Sequence, residues 1–187
     1  MARRTVIHAP VSRHLCAHCD HAGVRNIPDP GFAGDEGAVA PEVAEALAAY
    51  DADPDALHAP TLAVLQHARV LVPVVAVLGE SEIDEAGLTH DKTSDMATVL
   101  MRRADGRTAL LAFTGSDAMR RWDPSARPVP VRVPDAARAA VHDGASALLL
   151  DVAGPVLVVV EGEDLRSLAD GFVLADVAGR FAWVKQS

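Results

Sequence analysis

Aromatic side chains make up only 4% of this chain of 187 residues, although half of it is apolar. A core made from such a sequence has to rest on Val, Leu and Ala. Lysine is almost missing, occurring at Lys92 and Lys185 alone. Arginine carries nearly all the positive charge, a bias that, with the wealth of Ala and Val, suits a GC-rich bacterial genome. Cysteine is limited to Cys16 and Cys19. Two thiols three positions apart near one end cannot staple a domain, so nothing points to an oxidising compartment. Long uninterrupted apolar runs are lacking too. The greasiest stretch, residues 59–78, has Arg69 near its middle, and an arginine at the centre of a membrane helix costs about 2.5–3.5 kcal/mol. The opening Arg3-Arg4-Thr5-Val6-Ile7-His8 is too short and too polar for the apolar segment of a secretion signal. By elimination the expected location is the cytoplasm, with no membrane as partner.

An excess of cations is also missing. Lys and Arg number 17 against 26 Asp and Glu, a net charge of −9, and basic residues never run longer than two. Nucleic-acid binding draws most of its affinity from cations that neutralise phosphates, so no nucleic-acid partner is expected. The phosphate loop G-x-x-x-x-G-K-[ST], the dinucleotide fingerprint G-x-G-x-x-G, the nucleophile elbow G-x-S-x-G and the zinc motif H-E-x-x-H are all absent. The glycines of Gly34-Asp35-Glu36-Gly37 are flanked by acids that would repel a phosphate. No catalytic, cofactor-binding or metal-binding residue is assigned on this basis, and no cofactor is expected.

What is present is enough for one core. A chain of this length buries roughly 70% of the surface its unfolded form exposes and needs no staple. Residues 1–40 hold four of the eight His, both Cys and a Pro/Gly-rich run, without helical or alternating periodicity. They are read as a poorly ordered tail and lead-in, and residues 41–187 as the domain. Pro41 with Glu42 and Glu45 opens a short helix. A second helix falls within 55–68, its main turn opened by Pro60. Val70 to Leu78 is a strand that Pro73 assigns to an edge or a bulge. Ala97–Arg102 and Arg107–Phe113 flank Ala104-Asp105-Gly106, a strong hairpin signal. Thr114-Gly115-Ser116 caps a helix with Ala118, Met119 and Trp122 on one face, which Asp123-Pro124 stops. Pro134 opens another, with Ala137, Ala140 and Val141 inward and Gly144 as its stop. Ala147–Leu150 and Val156–Val160 are continuous apolar strands, which implies central positions. Leu165, Leu168 and Ala169 mark a last helix ending at Gly171, and Phe181–Val184 a closing strand. The order mixes hairpins with crossovers. It predicts an α+β fold: a mixed, largely antiparallel sheet with hairpins, covered by several short helices.

Four local features carry possible chemistry. Cys16 and Cys19 form a C-x-x-C pair that, with His14, His18 or His21, has zinc-ligand types, and that also suits a redox couple. No second knuckle or strand–helix context supports either, so incidental clustering is favoured. Glu80, Glu82, Asp84, Glu85, Asp91 and Asp95 form an acidic loop without the register of a calcium-binding loop; a solvated loop is favoured. Asp151 ends a buried strand, where a carboxylate serves catalysis or caps the turn, and His142 is its nearest catalytic neighbour in sequence. Trp122, beside Arg120 and Arg121, is either an interface anchor or, as its helical spacing to Met119 favours, core.

Several stretches together resemble the SseB N-terminal domain family in its actinobacterial form. They are Arg25-Asn26-Ile27-Pro28-Asp29-Pro30-Gly31-Phe32, Leu71-Val72-Pro73-Val74, Lys92-Thr93-Ser94-Asp95-Met96-Ala97 and Asp105-Gly106-Arg107. Phe113-Thr114-Gly115, Arg121-Trp122-Asp123, Arg127-Pro128-Val129-Pro130-Val131 and Leu149-Leu150-Asp151 with the following Gly-Pro continue the match. Their order and spacing, over roughly residues 25–185, carry the resemblance. It implies an α+β domain and a name taken from a serine-sensitivity phenotype, with no assigned reaction, cofactor or catalytic residue. Similar proteins begin near Arg25, so residues 1–23 are expected to be an extension or a misplaced start. The favoured function is a cytoplasmic, non-enzymatic protein-interaction or regulatory module with a protein partner. The alternatives are a small enzyme or amino-acid-binding protein linked to serine-related metabolism, and a zinc or thiol-redox protein acting through Cys16 and Cys19.

Overall fold

Proline punctuates the helices in the computed structural model, which describes residues 31–77 and 95–185 except Ala33. The helices are α1 (Pro41–Ala52), α2 (Pro54–Leu65), α3 (Ser116–Trp122), α4 (Val133–His142) and α5 (Gly162–Ala169). Pro41, Pro54 and Pro134 sit in the first turns of α1, α2 and α4, where a missing N–H breaks no helical bond. Asp53 ends α1 and caps α2, its carboxylate accepting from the Ala56 N–H at 3.1 Å. That cap, rather than Pro60, starts α2; Pro60 lies inside it.

The strands are β1 (Arg69–Val77), β2 (Asp95–Thr98), β3 (Leu100–Arg102), β4 (Thr108–Ala112), β5 (Arg127–Arg132), β6 (Ala147–Leu150), β7 (Val158–Glu161), β8 (Phe172–Val177) and β9 (Arg180–Lys185). They form sheets in the orders β2-β1-β5, β3-β4-β6-β7 and β8-β9. Only β4–β6 is parallel among the described pairs. The fold is α+β with a mixed, largely antiparallel sheet system. The Asp-Gly signal marks the β3–β4 turn, with Gly106 at φ +88. Asp105 accepts from the Arg107 N–H and side chain there, and these bonds hold its carboxyl below the usual range.

Pro73 lies in the middle strand of its sheet, not at an edge. Leu71 exchanges both backbone bonds with Phe113, at 2.7 and 2.9 Å, which joins the first two sheets. The N–H and C=O groups of alternate residues point to opposite sides of a strand. Val70, Val72 and Val74 therefore bond β5, whereas Leu71, Pro73 and Val75 face the other way. On that side the β2 ladder ends at Val74↔Thr98, so the missing Pro73 donor falls where no ladder continues. The chain crosses there through buried Val99 into β3. The run expected as one strand from Ala97 to Arg102 is thus divided between two sheets. Pro128 and Pro130, opposite Pro73 and Leu71, turn their donorless nitrogens outward and blunt the β5 margin.

Side chains alternate between two apolar layers. Leu110, Ala112, Leu148 and Leu150 meet α1, α2, α4 and α5. Leu111 and Phe113 meet Ala118 and Met119 of α3 on the opposite face. Full burial of each Leu contributes about 1.5–3 kcal/mol. In α4, Val133, Ala136, Ala137 and Ala140 point inward, but Val141, expected inward, is 44% exposed.

Residues 35–38, within the expected lead-in, lie across the junction of β1 and α3. Arg69 donates to the Thr114 and Ala38 carbonyls at 3.0 and 2.8 Å and pairs with Asp35 at 2.6 Å. Gly37 adopts φ +77, and a Cβ there would collide with the Ser116 hydroxyl.

Candidate functional site

The parallel pairing of β4 with β6 brings their C-terminal ends side by side, and Asp151 sits there. Its N–H donates to the Ala112 carbonyl at 3.0 Å. Its carboxylate accepts from the Thr114 N–H at 2.8 Å and from the Thr114 hydroxyl at 2.5 Å. The backbone turns through φ 58 at this residue, and Gly154, whose Cβ would fall 2.7 Å from that of Asp151, donates back to its carbonyl. Arg121 of α3 closes the turn by donating to the Ala153 carbonyl at 3.0 Å. Every polar atom of the Asp151 side chain is engaged in tying strand ends together. The capping alternative therefore describes it. His142 is exposed at the other end of β6, a strand that rises roughly 3.3 Å per residue, and no contact joins it to Asp151.

Burial pushes the Asp151 carboxyl above its usual range, with the Thr114 bonds and the Arg121 charge opposing. A carboxyl raised in the folded state binds more protons folded than unfolded between its ordinary value and the raised one. Stability from this group is therefore present below the ordinary value and declines as pH rises through that window. Asp151→Asn keeps an acceptor for the Thr114 N–H and carries no charge. Denaturant titrations from pH 3.5 upward should show the wild type losing stability relative to this variant as pH rises; a constant difference would refute the assignment.

A second place is an open depression of about 510 Å³ between α4 and α5. Arg107, Ser146, Glu161 and Arg166 line it beside Val141. Charges of both signs meet there.

The third place is the β8–β9 hairpin. Among the described residues it has no ladder with the other sheets and is held by side chains instead. Gln66, buried at the end of α2, accepts from the Leu174 N–H at 2.7 Å and donates to its carbonyl at 2.8 Å, copying a strand partner. Asp164 of α5 accepts from the Trp183 indole N–H at 3.1 Å and meets His58 Nε2 at 3.0 Å. The His58 ring lies 6.2 Å from that of Tyr50. The outward face carries Val173, Ala175 and Val177 against Val184, Ala182 and Arg180. Val177 is 53% and Val184 39% exposed. β8 lay outside the sequence expectation, and so did the roles of Gln66, His58 and Asp164.

Trp122 is half-buried, its ring centroid 5.6 Å from that of Phe113. Cys16, Cys19, His14, His18 and His21 lie outside the described residues, as do Glu80, Glu82, Asp84, Glu85 and Asp91. Asp95 begins β2. Among the described residues no group of three or more His, Cys, Asp or Glu is placed to hold a metal ion. Among them no helix is long and apolar enough to cross a membrane.

Residues 43–167 match the family model described as the SseB protein N-terminal domain. This range runs from α1 to within α5, and the β8–β9 hairpin lies beyond it. No curated protein and no solved structure matches the chain.

Proposed function

The chain belongs to the SseB family, and we propose that it is a non-enzymatic interaction module of the cytoplasm that docks a partner protein through the β8–β9 hairpin. The exposed apolar face of that hairpin, with Val177 and Val184 in solvent, is the observation that carries this reading. Contiguous exposed apolar surface is characteristic of binding sites. The acidic net charge favours a protein partner over a nucleic acid.

A second reading, an amino-acid-binding protein or small enzyme linked to serine-related metabolism, has support from the depression. Arg107 and Arg166 suit a carboxylate there, and Glu161 an ammonium group. One set of variants separates the two. Affinity capture with the full chain should recover a partner whose binding weakens about tenfold or more, some 1.4 kcal/mol, in Val177→Asp/Val184→Asp, while Arg166→Ala retains it. Recovery unaffected by the valine changes would overturn the docking reading. So would stabilisation by L-serine that Arg166→Ala abolishes.

A further inference from the structure

The two bonds from Gln66 fix the direction in which the β9 backbone points. Leu174 turns its N–H and C=O toward Gln66 and thus away from β9, so Leu174↔Trp183 is a non-hydrogen-bonded pair. By alternation, Phe181, Trp183 and Lys185 direct their backbone N–H and C=O groups outward from the hairpin. None of these groups has a backbone partner among the described residues.

The remaining sheet margins are poorer templates. β5 lacks outward donors at Pro128 and Pro130, and Gln66 occupies β8 at Leu174. Among the described residues β2, β3 and β7 offer four, three and four positions, against six in β9. The ends of β9 are Arg180 and Lys185, with no acid between them and no ion pair to a described residue. Antiparallel pairing sets outward-facing residues against one another, so a symmetric pairing of two β9 strands centred on Trp183 would place Lys185 of one copy opposite Phe181 of the other. The net charge of −9 on each copy opposes such an association. With a cation at each end and no acid between, the edge complements an acid-flanked strand.

We propose that the free edge of β9 accepts an extended, alternately apolar segment of a partner protein as an added strand, with Arg180 and Lys185 selecting carboxylates at its two ends. Backbone bonds to Phe181, Trp183 and Lys185 would supply affinity, and the apolar face around Val184 would receive alternate side chains. This assignment rests on the interaction reading above and names the partner's chemistry.

The test is selection of a displayed library of random octapeptides on the full chain. Retained peptides should alternate apolar residues and carry Asp or Glu near both ends. Binding of one of them should slow hydrogen exchange at the amides of Phe181, Trp183 and Lys185. Arg180→Glu/Lys185→Glu, two exposed positions, should weaken that peptide about tenfold and shift selection toward basic ends. Peptides that bind while protecting other amides would overturn the edge assignment and leave the interaction reading standing. Indifference to the charge reversal would overturn the carboxylate selection. A library that yields no binder would overturn both.

Discussion

Replacing Phe113 by alanine is expected to lower the free energy of unfolding by about 3–5 kcal/mol. Phe113 is fully buried, and its backbone bridge to Leu71 is the point where the first two sheets meet. Its ring packs on Trp122 and fills the layer between the sheet and α3. Truncation removes the ring from both contacts and leaves a cavity that Ala118 and Met119, held on a seven-residue helix, are too small or too constrained to fill. Urea unfolding followed by tryptophan emission measures the loss. A change below about 1.5 kcal/mol, typical of a tolerated volume-conserving swap, would show that the interface does not depend on this ring.

Gln66→Met is expected to cost about 2–4 kcal/mol, because a buried donor or acceptor left without a partner costs about 1–3 kcal/mol. Here the Leu174 N–H and C=O both lose theirs. Methionine matches the side chain in length, so the effect reports the lost bonds more than lost volume. The damage should be local. Exchange at the Leu174 amide should accelerate strongly, while Leu110 and Leu148, fully buried in β4 and β6, keep their protection. Unchanged exchange at Leu174 would show that the amide pair does not hold the hairpin.

Local signals in the sequence reach those parts of this molecule that local physics decides. Proline at helix starts, Asp105-Gly106 at a turn and the apolar runs of β4 and β6 all have their causes within a few residues. What was not legible depends on partners far along the chain. The division of residues 97–102 between two sheets follows from Pro73, which stands across the sheet rather than beside it. β8 has one buried position, Leu174, anchored by a glutamine 108 residues away, and a glutamine at a helix end reads as solvated. His58 and Asp164 are 106 residues apart. Asp151 was recognisable as a capping carboxylate, but Thr114, 37 positions earlier, was not recognisable as what it caps. The hairpin edge needed register and hydrogen-bond direction together, and neither is written in composition.

The prolines of β5 bear on what kind of assembly this molecule can enter. A fibril lengthens when every subunit that receives a strand presents a fresh margin to the next. Pro128 and Pro130 deny that relay along one flank, since two of the amides it would need do not exist. Growth by strand addition through β5 is therefore blocked at those two positions.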